Sequence, residues 1–494
     1  MTPALIKNRI RRLWAHSMEG GRLGFVVLAV AALGAIYSLY SSLKPQRMLT
    51  IAVPHGVESV ALKKVAERFS REHGITVRIQ EFPREELFEW EKGQVRSEAQ
   101  SAFDVILVDD PWMPALMIDP IDNTQNDRSK FRLEQLESDT YGQDGGRTDF
   151  VGKSLKVANY CAGGGPCDDY YGIPFVGNSQ LFCYNTDSQS DFPKDWKAVE
   201  QKSGNAQSGR LGYVTRIGPD NSIVTDFMPI LWAYDKQGFQ TRVKSTGSAF
   251  GDEELAATAF QSMAELVSRQ KAGGISVDDF DVTAYLADGR ASMGIVWSAW
   301  AMALINMEKA RGKVTLKCGE TGDQDNPPEL GVWLLAIPKT SGMQRKAEEF
   351  IKYATSKEQM LIAAAQGNPP PRESVLKTET TAKPDRASEF QDLDCSSKRM
   401  SKNDYEECLA TARWKITDKY GDLFASQLSS LAKARPRLRS TCWTEIEKAL
   451  GKHLQAVILT KAEPKTEVKR ANEEIAPLIR QCQVPSNRAV AEEP

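Results

Sequence analysis

The chain has 494 residues, enough for two or three ordinary domains or for one large two-lobed domain. Apolar residues make up 41% of the chain, which is sufficient for a substantial core, and the net charge is −2. This near-neutral balance, without any long block of like charge, excludes a general electrostatic attraction to nucleic acid or to acidic membranes.

The N-terminus has the composition of a membrane anchor. Residues 1–22 are basic with a single acid, Glu19, whereas residues 23–43 carry no charge. At about 1.5 Å per residue, the uncharged stretch spans roughly 31 Å, about one hydrocarbon core. We therefore predict a cytoplasmic basic segment at 1–22, a transmembrane signal anchor at 23–43 and an exported remainder. The segment lacks a clear small-x-small cleavage site for removal of a signal peptide, which favours an uncleaved anchor. A cleaved signal peptide is the alternative.

Eight cysteines fit an oxidising compartment. Their positions suggest three pairs, Cys161–Cys167, Cys395–Cys408 and Cys442–Cys482, which leaves Cys183 and Cys318. Because eight cysteines allow many connectivities, the alternative is that several of them are small buried thiols.

After a linker at 44–47, strand and helix patterns alternate, which predicts βαβ units. The strands are expected at 48–53, 75–82 and 103–108, and the helices at 57–72 and 84–100. The third strand, FDVILV, is a nearly continuous apolar run, as in a parallel strand that is covered on both faces.

A polar, Gly-rich segment at 119–170 predicts a loop-rich insertion, after which apolar patterns return. Helices are then expected at 252–271, 298–310 and 345–365, and strands at 291–297 and 331–339. A Pro-rich break, a charged stretch at 377–408 and three helices complete the chain, and residues 485–494 predict a disordered tail.

The third strand ends in two acids, a proline and an indole, at residues 109–112. Ligands of open α/β sheets bind at the carboxyl ends of the strands. Carboxylates accept hydroxyl groups in charge-assisted hydrogen bonds, and an indole offers an apolar face to a sugar ring. We predict ligand contacts at Asp109, Asp110 and Trp112. The alternatives are that the acid before Pro111 caps a helix and that Trp112 is part of the core.

Six phrases occur in an order that is typical of one family. They are FDVILVDDPW, YGIPFVGNSQLFCYNTD, GRASMGIVWSAW, GVWLLAIPKTSGMQRKAEEFIKYATSKEQ, NPPPRESVL and ARPRLRSTCWTEIEKAL. In this order they resemble the extracellular solute-binding proteins of family 1, the sugar-binding components of bacterial ABC importers. The resemblance covers residues 48–482. It implies an α/β fold of the periplasmic-binding-protein type, with two lobes joined by a hinge and the ligand between them.

The resemblance also implies the boundaries of the lobes. Lobe one is expected at 48–183 and 326–372, and lobe two at 184–325 and 373–484. The phrases LFCYNTD and VTLKCGE resemble the first two crossings between the lobes, which run side by side in family members. This implies a Cys183–Cys318 bridge across the hinge.

Six further ligand contacts are predicted, Trp297 and Trp300 from their position after a strand and the others from the resemblance. They are Glu58 after the first strand, Asn178 beside the crossing, Trp297 and Trp300 after a strand, Trp333 in a GVW turn, and Arg372 after PPP. The family commonly has Gly-Gly-Trp in that turn, where Val332 replaces the second glycine. A guanidinium such as that of Arg372 forks onto vicinal hydroxyls or ties an Asp in place. The alternatives are a solvated first-turn acid for Glu58 and a core position for each Trp.

The implied function is the substrate-binding component of an ABC importer. Such a protein captures a carbohydrate or polyol and delivers it to the permease subunits as a periplasmic monomer without a cofactor. The predicted helix at 23–43 would hold it at the inner membrane. Acids combined with Trp side chains favour a neutral sugar or polyol over a metal, an amino acid or a phosphate.

Two other functions compete with this interpretation. A membrane-tethered periplasmic sensor or scaffold would use the same cleft for ligand signalling. An enzyme would use Asp109 and Glu58 for acid–base chemistry, but the sequence has no G-x-S-x-G, H-E-x-x-H or Walker motif. Its four histidines are scattered without metal-ligand spacing, so no metal site is predicted.

Overall fold

The computed structural model describes residues 48–482 except for several short segments. These segments are 119–126, 142–145, 162–167, 188–190, 205–209, 219–221, 237, 239–247, 269, 271–277, 312–315, 321–326 and 380. The predicted segments 1–22, 23–43 and 44–47 and the tail at 485–494 lie outside the described residues. Within the described ranges, no helix combines the length and apolar character that a membrane span requires.

The described strands form one connected sheet. They are β1 Met48–Pro54, β2 Thr76–Phe82, β3 Val105–Asp109, β4 Ile173–Asn185, β5 Leu211–Val214, β6 Ala291–Trp297, β7 Leu316–Gly319 and β8 Leu330–Ala336. Their order is β2-β1-β3-β8-β4-β6-β5, and β7 pairs with β4 beside this path. Strands β1 and β3 are parallel, as the βαβ pattern predicts, whereas β8 is antiparallel to both β3 and β4.

Helices cover this sheet. They are α1 Val57–His73, α2 Arg84–Arg96, α3 Met113–Met117, α4 Gly152–Lys156, α5 Trp196–Gly204, α6 Ser222–Tyr234, α7 Glu253–Ser268, α8 Asp279–Ala287, α9 Ser298–Arg311, α10 Gln344–Ala354, α11 Lys357–Ala365, α12 Glu373–Leu376, α13 Lys402–Lys433, α14 Trp443–Thr460 and α15 Pro464–Gln481. The last three are the three C-terminal helices that the sequence predicts.

Local sequence explains where these helices begin and end. Helix α1 ends at Gly74, whose φ of 63° favours glycine and whose N–H donates to the Ser70 carbonyl at 3.0 Å. The single helix predicted at 345–365 is wrong, because α10 and α11 are separate. The Ser356 hydroxyl accepts the Gln359 N–H at 3.3 Å and so caps a new helix.

Strand β4 connects two groups of strands. Residues 173–179 pair with β8 and so with the first strand group, β1, β2, β3 and β8. Residues 180–185 pair with β6 and β7, which form the second strand group together with β5. All 13 residues of β4 are buried. The chain therefore passes from one strand group to the other within a single strand.

Helix α13 supports β4 at the place where its partners change. The Gln427 side chain donates to the Gly177 carbonyl at 2.9 Å, and the Ser430 hydroxyl donates to the Gln180 carbonyl at 3.0 Å. Both donors are buried. These bonds satisfy backbone carbonyls that would otherwise be costly to bury.

Three of the four suggested disulfides are confirmed. They are Cys183–Cys318, Cys395–Cys408 and Cys442–Cys482. The first links β4 to β7, where the two cysteines are direct partners in the strand pairing. The fourth suggested pair includes Cys167, which lies outside the described residues.

We expect the β4–β7 disulfide to stabilise the fold more than the Cys395–Cys408 disulfide does. The two bridges span 135 and 13 residues, respectively. The chain-entropy model gives about 5 kcal/mol for the longer loop and about 3 kcal/mol for the shorter one. Guanidinium unfolding of Cys183→Ala/Cys318→Ala and of Cys395→Ala/Cys408→Ala, without reductant, compares the two. Equal losses of unfolding free energy would contradict the expectation.

Candidate functional site

A cavity of about 350 Å³ lies beside the residues at which β4 changes partners. Its walls combine strand ends of both groups with neighbouring loops and helix starts. The lining residues are Pro54, His55, Gly56, Glu58, Arg84, Glu85, Asp109, Asn178, Arg216, Ser222, Thr225, Asp278, Asp279, Trp297, Trp300, Gly331, Trp333 and Arg437. The cavity thus lies at strand ends, where open α/β sheets place ligands.

Six of the predicted contact residues lie in this wall. They are Glu58, Asp109, Asn178, Trp297, Trp300 and Trp333. They come from α1, β3, β4, β6, α9 and β8, so distant parts of the chain supply them. That these side chains touch a ligand stays a prediction.

Two other predicted residues, Asp110 and Trp112, lie behind the wall and not in it. The Asp110 carboxylate is fully buried and accepts the Val332 N–H at 2.9 Å, next to Trp333. The Trp112 ring packs edge-on against Trp333 with 5.7 Å between ring centroids, and the Arg84 guanidinium lies 5.2 Å from its centroid. Both residues therefore support cavity-lining side chains from the core.

The ninth predicted residue, Arg372, is not among the lining residues. Its guanidinium is 1% exposed and donates to the carbonyls of Thr355 and Tyr141 and to the Asp149 carboxylate at 3.0 Å. It also lies 4.1 Å from the centroid of the Phe150 ring. Of the two roles considered for this arginine, the structure shows the one that ties an Asp in place.

Asn178 connects the two sides of the cavity. Its amide nitrogen donates to Glu58 Oε1 at 3.3 Å, and its amide oxygen accepts the Ala299 N–H, in the first turn of α9, at 3.0 Å. Asn178 itself lies on β4 opposite Gly331. One buried amide therefore contacts α1 and α9 from the strand that both groups share.

Three indole rings form the apolar part of the wall. Trp297 and Trp333 are 9% and 7% exposed, so only a small part of each reaches the cavity, whereas Trp300 is half-buried. Gly331 permits the position of Trp297, because a Cβ at Gly331 would lie 2.7 Å from the indole. Glycine is thus required at this position of β8, where the GVW segment is a strand and not a turn, for the close ring contact.

Asp109 is held by two arginines. Arg84 Nη2 donates to Asp109 Oδ2 at 2.6 Å, and Arg437 Nη2 donates to Oδ1 at 2.9 Å. The Asp109 carboxylate is almost fully buried, and charge-assisted bonds of this kind offset the cost of its burial. Both oxygens have a cationic partner, which fixes the carboxylate at the cavity wall.

Arg437 also contacts two acids behind the wall. Its Nε lies 3.2 Å from Glu329 Oε1, and its Nη1 lies 3.6 Å from Glu447 Oε1. Burial raises the pKa of Glu329 well above its usual range and raises the pKa of Asp110 to about 7, although Arg437 opposes both shifts. Neighbouring acids add to both shifts, Glu447 and Asp110 in the case of Glu329 and Asp109 in the case of Asp110.

Arg216 is the third arginine of the wall. It donates to Asp226 from Nε at 3.1 Å and also from Nη2, and from Nη1 to Asp279 at 3.1 Å. Its guanidinium carbon lies 5.6 Å from the centroid of the Trp297 ring. The ion pairs and this ring fix the guanidinium beside Trp297.

Glu58 has an unusual protonation equilibrium. Burial raises the pKa of this carboxyl to about 7, and the negative charges of Asp279 and Asp109 add to the shift. A hydrogen bond from a backbone N–H and the one from Asn178 oppose it. Near neutral pH, Glu58 therefore exchanges between an acceptor-only carboxylate and a carboxylic acid that donates.

Several wall residues are absent from the sequence prediction, and some of them had a local signal. Arg84 and Arg216 follow the ends of β2 and β5, so the strand-end argument used for Asp109 applies to them as well. Asp278 and Asp279 open α8, which periodicity did not reveal. Arg437 lies in an irregular segment between α13 and α14, and no local pattern indicates its contact with Asp109.

Comparison with known families gives one match, to the model of bacterial extracellular solute-binding proteins, over residues 64–388. A comparison with curated protein sequences gave no match. In the described part of the chain, no cluster of three or more His, Cys, Asp or Glu side chains is arranged to hold a metal ion.

Solved structures of sugar- and polyol-bound proteins have a similar fold. Maltose-bound T. maritima MalE3 is 19% identical, with a TM-score of 0.63 over 87% of this chain and 99% of that one. A solute-binding protein of an ABC transporter from Thermotoga lettingae, bound to alpha-D-tagatose, is 17% identical with a TM-score of 0.67 over 88% and 100%. One from Agrobacterium radiobacter with ribitol is 17% identical, with a TM-score of 0.63 over the same shares. These similarities confirm the two-lobed α/β fold.

We expect Glu58→Gln to stabilise the protein at high pH but not at low pH. The pKa of Glu58 is about 7 in the folded state, because of burial, against 4.5 for an ordinary glutamate. The folded state therefore binds the proton more tightly, and the free energy of unfolding falls as pH rises from about 4.5 to about 7. The variant lacks this loss, and we expect a gain of about 1–3 kcal/mol at pH 8 and little change at pH 4.

Denaturant unfolding at both pH values measures this difference. Glu67→Gln is the matched control, because Glu67 lies on the same helix and is exposed. A Glu58→Gln gain that is as large at pH 4 as at pH 8 would show that the titration of Glu58 is not its cause.

We expect Arg437→Met to lower the free energy of unfolding by about 3–5 kcal/mol, because it leaves Asp109, Glu329 and Glu447 buried without their shared cation. Arg480→Met, at an exposed position of α15, should change it by less than about 0.5 kcal/mol. Urea unfolding at pH 7 measures both. A loss below about 1 kcal/mol for Arg437→Met would mean that the network rearranges around the missing charge.

Proposed function

Because the chain belongs to the family of bacterial extracellular solute-binding proteins, we propose that it captures a carbohydrate or polyol in the cavity beside β4. Proteins of this family bind solutes without transforming them, and they act outside the cytoplasm. Delivery of the ligand to ABC permease subunits is part of the proposal, as is attachment to the inner membrane through the predicted helix at 23–43.

One observation carries the proposal: three indoles share a cavity with Asp109, Asn178 and Glu58. Indole faces suit the apolar faces of sugar rings, and carboxylate and amide groups suit hydroxyls. The ligands named for the similar structures, maltose, tagatose and ribitol, belong to the same chemical class.

Each side chain has a distinct role in this proposal. Trp300 is the most accessible of the three rings and provides the stacking face. Asp109 and Asn178 are held in fixed orientations by their own partners, so they accept or donate hydrogen bonds without a large loss of side-chain entropy. Asp110 and Trp112 hold the β8 segment that carries Trp333.

A ligand panel tests the proposal. The full-length protein is titrated with mono-, di- and oligosaccharides and polyols, while Trp fluorescence and thermal melting are recorded. A ligand at 100 times its Kd should raise the unfolding free energy by about 2.7 kcal/mol. If the folded protein gives no response to any member, the carbohydrate proposal fails and the sensor or scaffold alternative gains support.

For the ligand found in this way, we expect Trp300→Ala to weaken binding about tenfold, because a stacked ring contributes roughly 0.5–1.5 kcal/mol beyond its area. Trp90→Ala is the matched control, since Trp90 is 50% exposed on α2 and does not line the cavity. It should leave Kd within about twofold. Equal effects of the two variants in fluorescence titrations would exclude Trp300 as the stacking face.

A further inference from the structure

The charges of the cavity wall are mostly paired within the protein. Arg84 and Arg437 both bind Asp109. Arg216 binds Asp226 and Asp279. All three cations of the wall thus face carboxylates at hydrogen-bonding distance, which leaves little positive charge to attract an anionic ligand.

Glu58 differs from the other acids of the wall. Among the residues that the structure describes, no Lys or Arg side chain lies within salt-bridge distance of its carboxylate. Its side-chain partner is the neutral amide of Asn178. Glu85 and Asp278 also line the cavity, but both are exposed to solvent, whereas Glu58 is half-buried. The cavity therefore contains a partly buried acid that has no Lys or Arg partner in the described part of the chain.

We propose that the ligand itself supplies this cation, and that the protein binds an amino sugar or amino polyol whose ammonium group lies against Glu58. This inference rests on the proposed carbohydrate function and narrows its ligand class. An ammonium group donates up to three hydrogen bonds, and a desolvated carboxylate is its strongest acceptor. A neutral sugar of the same shape lacks the charge that would compensate Glu58.

The aromatic wall is compatible with the same ligand. Cations bind over indole faces, and they bind more strongly where water is excluded. Trp297, Trp300 and Trp333 line the cavity that Glu58 also lines. The Trp297 ring already has the Arg216 guanidinium near it, which leaves Trp300 and Trp333 for a ligand cation.

The charged groups around Glu58 act on its pKa in one direction, whereas its hydrogen-bond donors oppose them. Asp279 and Asp109 face it with negative charge and, together with burial, raise its pKa, while Asn178 faces it as a neutral donor. A bound ammonium group would lower that pKa, so binding near pH 7 should release a proton from Glu58. Binding of a neutral sugar has no such electrostatic effect on the carboxyl group.

The test uses matched pairs of ligands that differ only in a hydroxyl or an amino group. Suitable pairs are glucose with glucosamine, galactose with galactosamine, and glucitol with glucamine. Isothermal titration of the full-length protein at pH 7 should give an amine Kd at least about tenfold below that of its hydroxyl partner for the preferred pair. Titrations in two buffers of different ionisation enthalpy should show proton release with the amine only.

Two variants assign the preference to Glu58. In Glu58→Gln the amine and the hydroxyl ligand should bind within about twofold of each other, whereas Glu67→Gln should keep the wild-type ratio. Thermal melting shows whether both variants are folded. If Glu58→Gln does not fold, the ratio of the hydroxyl and amine Kd values is measured on the wild-type protein at pH 5 instead. Protonation of Glu58 at that pH should reduce the preference for the amine.

The outcomes separate the inference from the function on which it rests. If hydroxyl and amine partners bind equally, the inference fails and the carbohydrate function stands. A preference for the amine that persists in Glu58→Gln also overturns the inference, because another group then provides the charge. If no member of any pair binds to the folded protein, both proposals fail.

Discussion

The arrangement of the whole sheet depends on β4, the strand that both groups share. Its first residues complete the ladder of β8, and its last residues complete those of β6 and β7. Its second half has strand partners on both edges, and α9 and α13 pack against β4, so every residue of β4 is buried. Polar side chains in its middle are tolerated because they have partners, such as the Ser298 hydroxyl for the Ser179 hydroxyl and the Thr225 carbonyl for the Gln180 amide.

The cavity depends on β4 in a second way. Asn178 and Gly331 are opposite each other at the end of one ladder, and Gln180 and Trp297 are opposite each other at the start of the next. Because Asn178 and Gln180 are two residues apart on β4, their partners Gly331 and Trp297 lie close together and come into contact. The same change of partners that joins the two strand groups therefore brings an amide and an indole into one wall.

The sequence predicts the parts of this structure that local patterns encode. Strand ends and the family resemblance predicted Glu58, Asp109 and the three wall indoles as ligand contacts. Spacing and resemblance suggested the cysteine pairs. Contacts between distant segments could not be predicted in this way. Arg437 is 328 residues from Asp109 along the chain and lies in an irregular segment, so neither periodicity nor propensity identifies it. Asp110, Trp112 and Arg372 have residue types that suit a ligand, and only tertiary packing shows which protein groups they contact.

Ion pairing within the wall limits what the cavity recognises. An arginine that already binds a carboxylate has fewer donors for a ligand. A carboxylate that is held by two arginines has its charge compensated within the protein, so it accepts ligand hydroxyls without needing a cation from the ligand. Glu58 and Asn178 lie at the junction of this paired wall and the strand that both groups share. A ligand that contacts them gains its binding energy only when α1, β4 and α9 have this arrangement. It therefore stabilises that arrangement by its differential affinity.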